Sequence, residues 1–155
     1  YLADAALVEA ICDRRPDVVG FTVFSWNIER SLHICEQIKE AGGPRIVFGG
    51  PEITPDNALP RAPQVDFRVH GEGEAVFRRL LSEPGFWANG SAAESAADIF
   101  RNAESPYLSG WLEPEAQRLM LLETQRGCPY RCGFCYYNKS RAGLVFAEEE
   151  HLLHG

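Results

Sequence analysis

Apolar and polar positions along this chain alternate between two periods. Leu2, Ala5, Ala6, Val8, Ile11 and Cys12 recur at helical spacing from Tyr1 to Arg15, with no Gly or Pro before Pro16, which predicts an amphipathic helix. Asp17 to Phe24 is instead a nearly continuous apolar run rich in β-branched and aromatic residues, the pattern of a strand buried on both faces. Past Ser25-Trp26-Asn27, the residues Ile28, Leu32, Cys35 and Ile38 share one stripe of a second helix that ends at Gly42-Gly43. Packing accounts for Cys35 on that stripe and for Cys12 on the first helix, and His33 is expected in solvent. Arg45 to Phe48 and Val65 to His70 read as two further strands, and Ala75 to Leu81 as a third helix.

Strand, helix, strand, loop, strand, helix is a βαβ pattern, so the fold class is α/β with a right-handed parallel sheet. In such sheets ligands sit beyond the carboxyl ends of the strands. Ser25-Trp26-Asn27, Gly49-Gly50-Pro51-Glu52 and Gly71-Glu72-Gly73-Glu74 all fall at those ends, so one crevice can collect all three. The adjacent glycines of the second loop permit positive φ and close approach of a ligand, and a tight turn would use them equally well. Gly71-Glu72-Gly73 is a weak phosphate signal, since two glutamates beside it disfavour an anion.

From Ser82 to Glu115 the pattern weakens into an Ala-, Ser-, Glu- and Pro-bearing connector with a short helix expected near Ala92 to Arg101. Leu119 to Arg126 then reads as a strand, and Ala147 to Leu153 as the start of a helix. Composition changes this picture little. Apolar content of 45% is globular, no apolar run is long enough to span a bilayer, and a net charge of −7 argues against a nucleic-acid surface. The one local positive excess, Arg126, Arg131, Lys139 and Arg141, flanks a cluster of cysteines. No secretory leader pattern opens the sequence, so a reducing cytoplasm is the expected compartment.

That cluster carries the candidate chemistry. Cys128, Cys132 and Cys135, three of the chain's five cysteines, form a C-x3-C-x2-C run within Gly127-Cys128-Pro129-Tyr130-Arg131-Cys132-Gly133-Phe134-Cys135. Three thiolates converging from one loop select iron–sulfur clusters, zinc or cuprous copper over hard cations. A closed zinc site or an all-cysteine cluster needs a fourth ligand, and no cysteine follows Cys135, so a metal held here keeps an open position. Other readings compete: zinc completed by His151 or His154, which lie beyond the usual ligand spacing; a disulfide with a spare thiol; or core cysteines, against which the intervening Gly, Pro and Arg count.

At these residues the sequence resembles the radical S-adenosylmethionine (SAM) enzymes, whose signature is C-x3-C-x-aromatic-C with the aromatic at Phe134. The resemblance implies that Cys128, Cys132 and Cys135 ligate a [4Fe–4S] cluster whose remaining iron is chelated by SAM, with Phe134 beside the SAM adenine. It further implies reduction by an electron donor such as flavodoxin or ferredoxin, cleavage of SAM to a 5′-deoxyadenosyl radical, and hydrogen abstraction from a small-molecule substrate. Upstream, the arrangement resembles the cobalamin-binding domain that precedes many radical SAM enzymes, a flavodoxin-like sheet. Ser25 followed by Gly49-Gly50 is similar to that family's serine and glycine-pair elements, which line the slot for the nucleotide tail. Asn27 departs from the leucine of one version of the pattern, and no Asp-x-His-x-x-Gly element occurs, so the likeness is to the group that does not ligate cobalt through histidine.

The expected organisation is therefore a partial cobalamin-binding, Rossmann-like domain over 1–82, a linker over 83–116 and the first β/α unit of a radical SAM barrel over 117–155. Ser105-Pro106-Tyr107-Leu108-Ser109-Gly110 resembles the family's linker. Cobalamin is expected at Ser25, Trp26, Asn27, Gly49, Gly50, Pro51, Glu52, Gly71, Glu72 and Gly73. In a sheet of order 2-1-3-4-5 two strands and a helix would precede Tyr1, leaving Asp17 to Phe24 as an open edge, and a full barrel needs roughly 200 or more residues. A fragment of an enzyme for radical methylation is the reading these likenesses imply; a cobalamin- or nucleotide-binding module without catalysis and a zinc-stabilised interaction domain are its alternatives.

Overall fold

A computed structural model describes residues 3–95, 97, 99, 105–113, 118–130, 132–135, 137 and 143–147. The chain divides into two compact units, Tyr1–Ala93 and Glu94–Gly155.

The first unit begins with α1 (Asp4–Arg14), closed by Arg15 in the left-handed region at φ 46°, where its N–H reaches the Cys12 carbonyl. Pro16 follows, and β1 (Val18–Thr22) leads into α2 (Ile28–Glu40) and β2 (Arg45–Gly49). After a short 3-10 turn come β3 (Phe67–Gly71), α3 (Glu74–Ser82), a second 3-10 segment over Pro84–Asn89 and β4 (Ser91–Glu94). The four strands lie in the order β1-β2-β3-β4. The β1 and β3 strands each run parallel to β2, with Gly20 opposite Val47 and Val47 opposite Phe67.

Side chains alternate across a strand, so each face of the sheet builds its own core. On one face Ile46 and Phe48 pack with Val23, Ile53 and Val65 against Ile28, Ile34, Cys35 and Ile38 of α2, and α1 adds Leu7, Val8 and Ile11. On the other, Val47, Phe67 and Val69 pack against Val76 and Leu80 of α3 and against Phe86. Phe48 and Phe67 are fully buried, each contributing roughly 1.5–3 kcal/mol of transfer free energy. Cys35 is fully enclosed, as its place on the helical stripe predicts, and burial pushes its thiol up to about 12, with Lys39 opposing the rise and Asp66 adding to it. His33 lies beside that stripe and hydrogen-bonds Gln37 at 2.7 Å.

Three expectations change. First, β1 is not buried on both faces: Val18, Val19 and Phe21 are half-buried, and Gly20 and Thr22 are exposed. It forms the sheet's edge with β2 as its neighbour, and neither a glycine nor an exposed threonine supplies apolar cover. Second, the stretch read as the start of a connector holds β4. Ser-Ala-Ala-Glu carries little strand propensity, and tertiary pairing overrides it: the Arg68 N–H donates to the Gly90 carbonyl at 3.1 Å, and Ala92 packs on the second core. Of the helix expected near Ala92 to Arg101, Ala97 and Ile99 are helical, and residues 96, 98, 100 and 101 lie outside the described residues.

Third, the strand expected in the second unit is shorter than its apolar run. Of the strand expected over Leu119 to Arg126, only β5 (Gln125–Gly127) forms, pairing antiparallel with β6 (Leu144–Phe146). Leu119, Met120, Leu121 and Leu122 are accordingly exposed, with the Leu121 N–H donating to the Tyr107 hydroxyl at 2.8 Å. The helix expected over Ala147 to Leu153 lies, apart from Ala147, outside the described residues.

One carboxylate fixes how β2 starts. Asp66 Oδ2 accepts from both Lys39 Nζ and the Ile46 N–H, each at 2.6 Å, tying α2, β2 and the approach to β3 together. Asp66→Ala leaves a part-buried N–H without its acceptor and is expected to lower stability by about 1–3 kcal/mol in urea unfolding, with a smaller loss for Asp66→Asn.

Candidate functional site

Beyond the carboxyl ends of β1, β2 and β3 the first unit opens a groove of about 500 Å³. Its floor comes from residues that alternate onto one face of the sheet: Gly20 and Thr22 of β1, Val47 and Gly49 of β2, Val69 and Gly71 of β3. Phe21, Gly50, Gly73, Glu74 and Phe77 complete the wall. A Cβ on Gly20 would meet nothing within 4 Å, so the space over β1 is empty because no side chain grows into it. Gly50 has a different reason to be glycine: at φ +105° a Cβ would stand 2.8 Å from the Val23 carbonyl oxygen.

The structure brings Gly49, Gly50, Gly71 and Gly73 together on this groove, as their positions at strand ends predict. Ser25, Trp26, Asn27, Pro51, Glu52 and Glu72 do not line it. Ser25 is exposed in the turn after β1, and the hydroxyl residue on the groove is Thr22. Trp26 is 77% exposed and stacks on Phe24 at 4.5 Å with ring planes 10° apart, a flat aromatic platform beyond β1. Asn27 shapes that turn: its Oδ1 accepts from the Phe24 N–H at 2.7 Å and its Nδ2 donates to the Thr22 carbonyl at 3.1 Å. Pro51 is exposed, whereas Glu52 and Glu72 are nine-tenths buried. Gly20, Thr22 and Phe77 were missed by reading loops alone. A glycine inside the apolar run of β1 was the available signal, since such glycines mark close approach of another group.

The cysteine loop belongs to the second unit. Gly127, at φ +104°, closes β5, and a Cβ there would run into the Gly143 carbonyl across the hairpin. Glycine at that point lets the two strands close immediately before Cys128. The Cys135 N–H donates to the Cys132 carbonyl at 3.0 Å, which folds the C-x2-C segment into a turn with both thiols exposed. Cys128 is half-buried, and Phe134 is 95% exposed. Among the described residues no three His, Cys, Asp or Glu side chains stand preassembled around one point. Arg126 is held by Glu123, Nε to Oε1 at 2.8 Å and Nη2 to Oε2 at 2.5 Å. Arg131, Lys139, Arg141, His151 and His154 lie outside the described residues.

Residues 2–81 match the family model of the B12 binding domain. The chain belongs to that family. The sequence is also 34% identical, over 87% of its length, to 2-(S-pantetheinyl)-carbapenam-3-carboxylate methyltransferase of Streptantibioticus cattleyicolor. It is 32% identical, over 89%, to the cobalamin-dependent radical SAM methyltransferase TokK of Streptomyces tokunonensis, and 28% identical, over 86%, to an anaerobic magnesium-protoporphyrin IX monomethyl ester cyclase of Rubrivivax gelatinosus. These matches extend well past the B12-binding domain, while the chain spans only 24% of the length of each methyltransferase and 29% of the cyclase.

The groove of the first unit has room for a ligand of some size. Its glycine floor leaves open the volume that side chains would fill, and added Cβ atoms at Gly49 and Gly73 would come no closer than 3.9 and 3.7 Å to Val69. The cysteine loop fits a soft metal by the chemistry of its donors, with the thiols gathering as metal binds, since such sites seldom preform without it. Among the described residues, no helix is long and apolar enough to cross a membrane.

The five thiols differ in reach, which gives a direct check on their roles. In metal-free protein at pH 8, iodoacetamide followed by peptide mass spectrometry is expected to label Cys132 and Cys135 first. Cys35 stays unlabelled until the chain unfolds, because it is both enclosed and held protonated. The burial of Cys35 also sets a pH dependence. The unfolded thiol ionises near 9.0 and the folded one near 12, so its contribution to stability is complete below pH 9 and is lost as pH rises from there toward 12.

Proposed function

We propose that this chain is the cobalamin-holding and cluster-bearing segment of a radical SAM methyltransferase. The observation that carries the reading is the glycine-floored groove inside the B12-binding match, followed in the same chain by the Cys128-Cys132-Cys135 loop. The names of the relatives as methyltransferases support the class of reaction.

In this reading the groove over Gly20, Thr22, Gly49 and Gly71 takes the nucleotide tail of cobalamin. The apolar floor and wall of Val47, Val69 and Phe77 exclude water from the tail, and the Thr22 hydroxyl is the polar group available to it. The Trp26–Phe24 stack offers a face for the corrin ring, a surface suited to a planar, apolar body. Glu74 lines the groove at the start of α3, where its carboxylate would disfavour a phosphate.

At the other site Cys128, Cys132 and Cys135 hold a [4Fe–4S] cluster, and Phe134 packs beside SAM. Loaded in this way, and reduced by a flavodoxin- or ferredoxin-like donor, cluster and SAM supply the one-electron chemistry, and cobalamin supplies the methyl group. The chain's own part is positional: Gly127 aims the loop, the Cys132–Cys135 turn brings those two residues close together, and Glu123 neutralises Arg126 just before the loop.

Absorbance titration with hydroxocobalamin tests the first half. Gly20→Val places a β-branched side chain in open space on a strand, where it suits the backbone and blocks the groove. It is expected to keep the melting temperature and to weaken cobalamin roughly tenfold to hundredfold. Unchanged affinity in that variant would remove the groove from the site. For the second half, anaerobic reconstitution with iron and sulfide is expected to give a charge-transfer band that Cys132→Ala abolishes and air bleaches, because Cys132 and Cys135 are exposed. One equivalent of zinc without labile sulfide would instead assign the loop to a structural metal.

A further inference from the structure

The groove's β2 wall continues into a loop held by backbone and side-chain bonds together. The Val23 N–H donates to the Gly49 carbonyl at 2.8 Å, and the Ile53 N–H to the Gly50 carbonyl at 3.1 Å, but the return bond from the Glu52 N–H to the Val23 carbonyl is long, at 3.3 Å. The Thr54 N–H reaches the Glu52 carbonyl at 3.0 Å and the Asn57 N–H the Thr54 carbonyl at 3.2 Å, and side chains add to these. Asn57 Nδ2 donates to the Glu52 carboxylate, at 2.8 Å to Oε2, and to the Glu52 backbone carbonyl, at 3.1 Å. Asn57 Oδ1 accepts from the Leu59 N–H at 3.1 Å, anchoring the clamp to the 3-10 turn. From the end of β3, His70 Nδ1 meets the Ile53 carbonyl at 3.1 Å.

Glu52 is only 7% exposed, beside Ile53 and Thr54, which are also buried. A carboxylate in such a place is costly unless its hydrogen bonds are made, so its presence calls for a reason beyond packing. Gly50 supplies that reason. Its φ of +105° places it in a region that glycine enters freely and also leaves freely, so the residue that makes the close turn does nothing to hold it.

We propose that Glu52 is a positioning residue of the cobalamin groove: bonded to Asn57, its carboxylate holds the Gly49-Gly50 wall in the binding shape before ligand arrives. The inference rests on the cobalamin reading above and deepens it. Glu52 does not line the groove; it acts through the loop. Because the wall it holds borders the tail groove, its effect falls on corrinoids that carry a nucleotide tail and spares those that lack one.

The test compares cobalamin with cobinamide, which has no nucleotide tail, on the 155-residue chain, with melting temperature and association rate measured alongside. Glu52→Gln retains an oxygen that can accept from Asn57 and is expected to bind both ligands as the unaltered chain does. Glu52→Leu and, independently, Asn57→Ala are expected to weaken cobalamin about tenfold or more, with slower association, while changing cobinamide less than about twofold. Two variants approaching the clamp from opposite ends keep the test valid if one fails to fold. Cobalamin affinity unchanged in the folded variants overturns the proposal. So does an equal loss for both corrinoids, which would make Glu52 a purely structural residue. If the unaltered chain binds neither corrinoid, the cobalamin reading fails and this inference falls with it; if it binds both with the same affinity in every variant, the inference alone fails.

Discussion

The first unit is organised by the point where β2 ends. There the chain must leave the sheet while passing close enough to Val23 that a Cβ at Gly50 would collide with its backbone, and the bond from the Val23 N–H to the Gly49 carbonyl fixes that approach. A parallel strand cannot turn back through a two-residue hairpin; its connection has to climb over the sheet's end, and that end is where backbone groups and glycines are left facing outward. Packing on both faces of β2 makes the point rigid. Ile46 and Phe48 are committed to one core and Val47 to the other, so β2 cannot slip by one residue without exchanging the two.

That constraint separates the parts of the fold that were legible from residues from those that were not. Strands and helices with a committed apolar face, such as α2 with Ile28, Cys35 and Ile38, announce themselves by period, and their bounds were close. Segments whose conformation is imposed by neighbours do not. Ser91–Glu94 becomes a strand because β3 offers it an edge, and no local pattern in Ser-Ala-Ala-Glu says so. The reverse holds for Leu119–Leu122, an apolar run that looks like a strand but forms none among the described residues, because a strand exists only with something to pair with.

The groove shows the same division. Its glycine pair was readable, since adjacent glycines after a strand mark a tight turn or a close approach, and this loop makes both at once. Its floor was harder to see, because it is defined by what is missing: Gly20 matters for the volume it leaves empty, and an absent side chain has no hydrophobic period. Ser25 resembles the family's serine element, yet β1 stops at Thr22, and the side-chain alternation of the strand puts Thr22 rather than the turn residue over the groove. A small difference in where a strand ends is thus enough to change which hydroxyl borders the groove.

The two candidate sites use opposite strategies, and the difference follows from what each ligand can do for itself. On the cobalamin reading proposed for the groove, a corrinoid would make many weak contacts and no strong bond there, so affinity would require walls already in place before binding, which Gly50's tight turn and the Glu52–Asn57 clamp would supply. A soft metal forms a few strong bonds to thiolates, and these can gather a loop that is not preassembled. Exposed thiols at Cys132 and Cys135 are therefore no argument against a metal centre, whereas an unclamped groove would be a real objection to a cobalamin site. The rigidity belongs where the ligand cannot provide it.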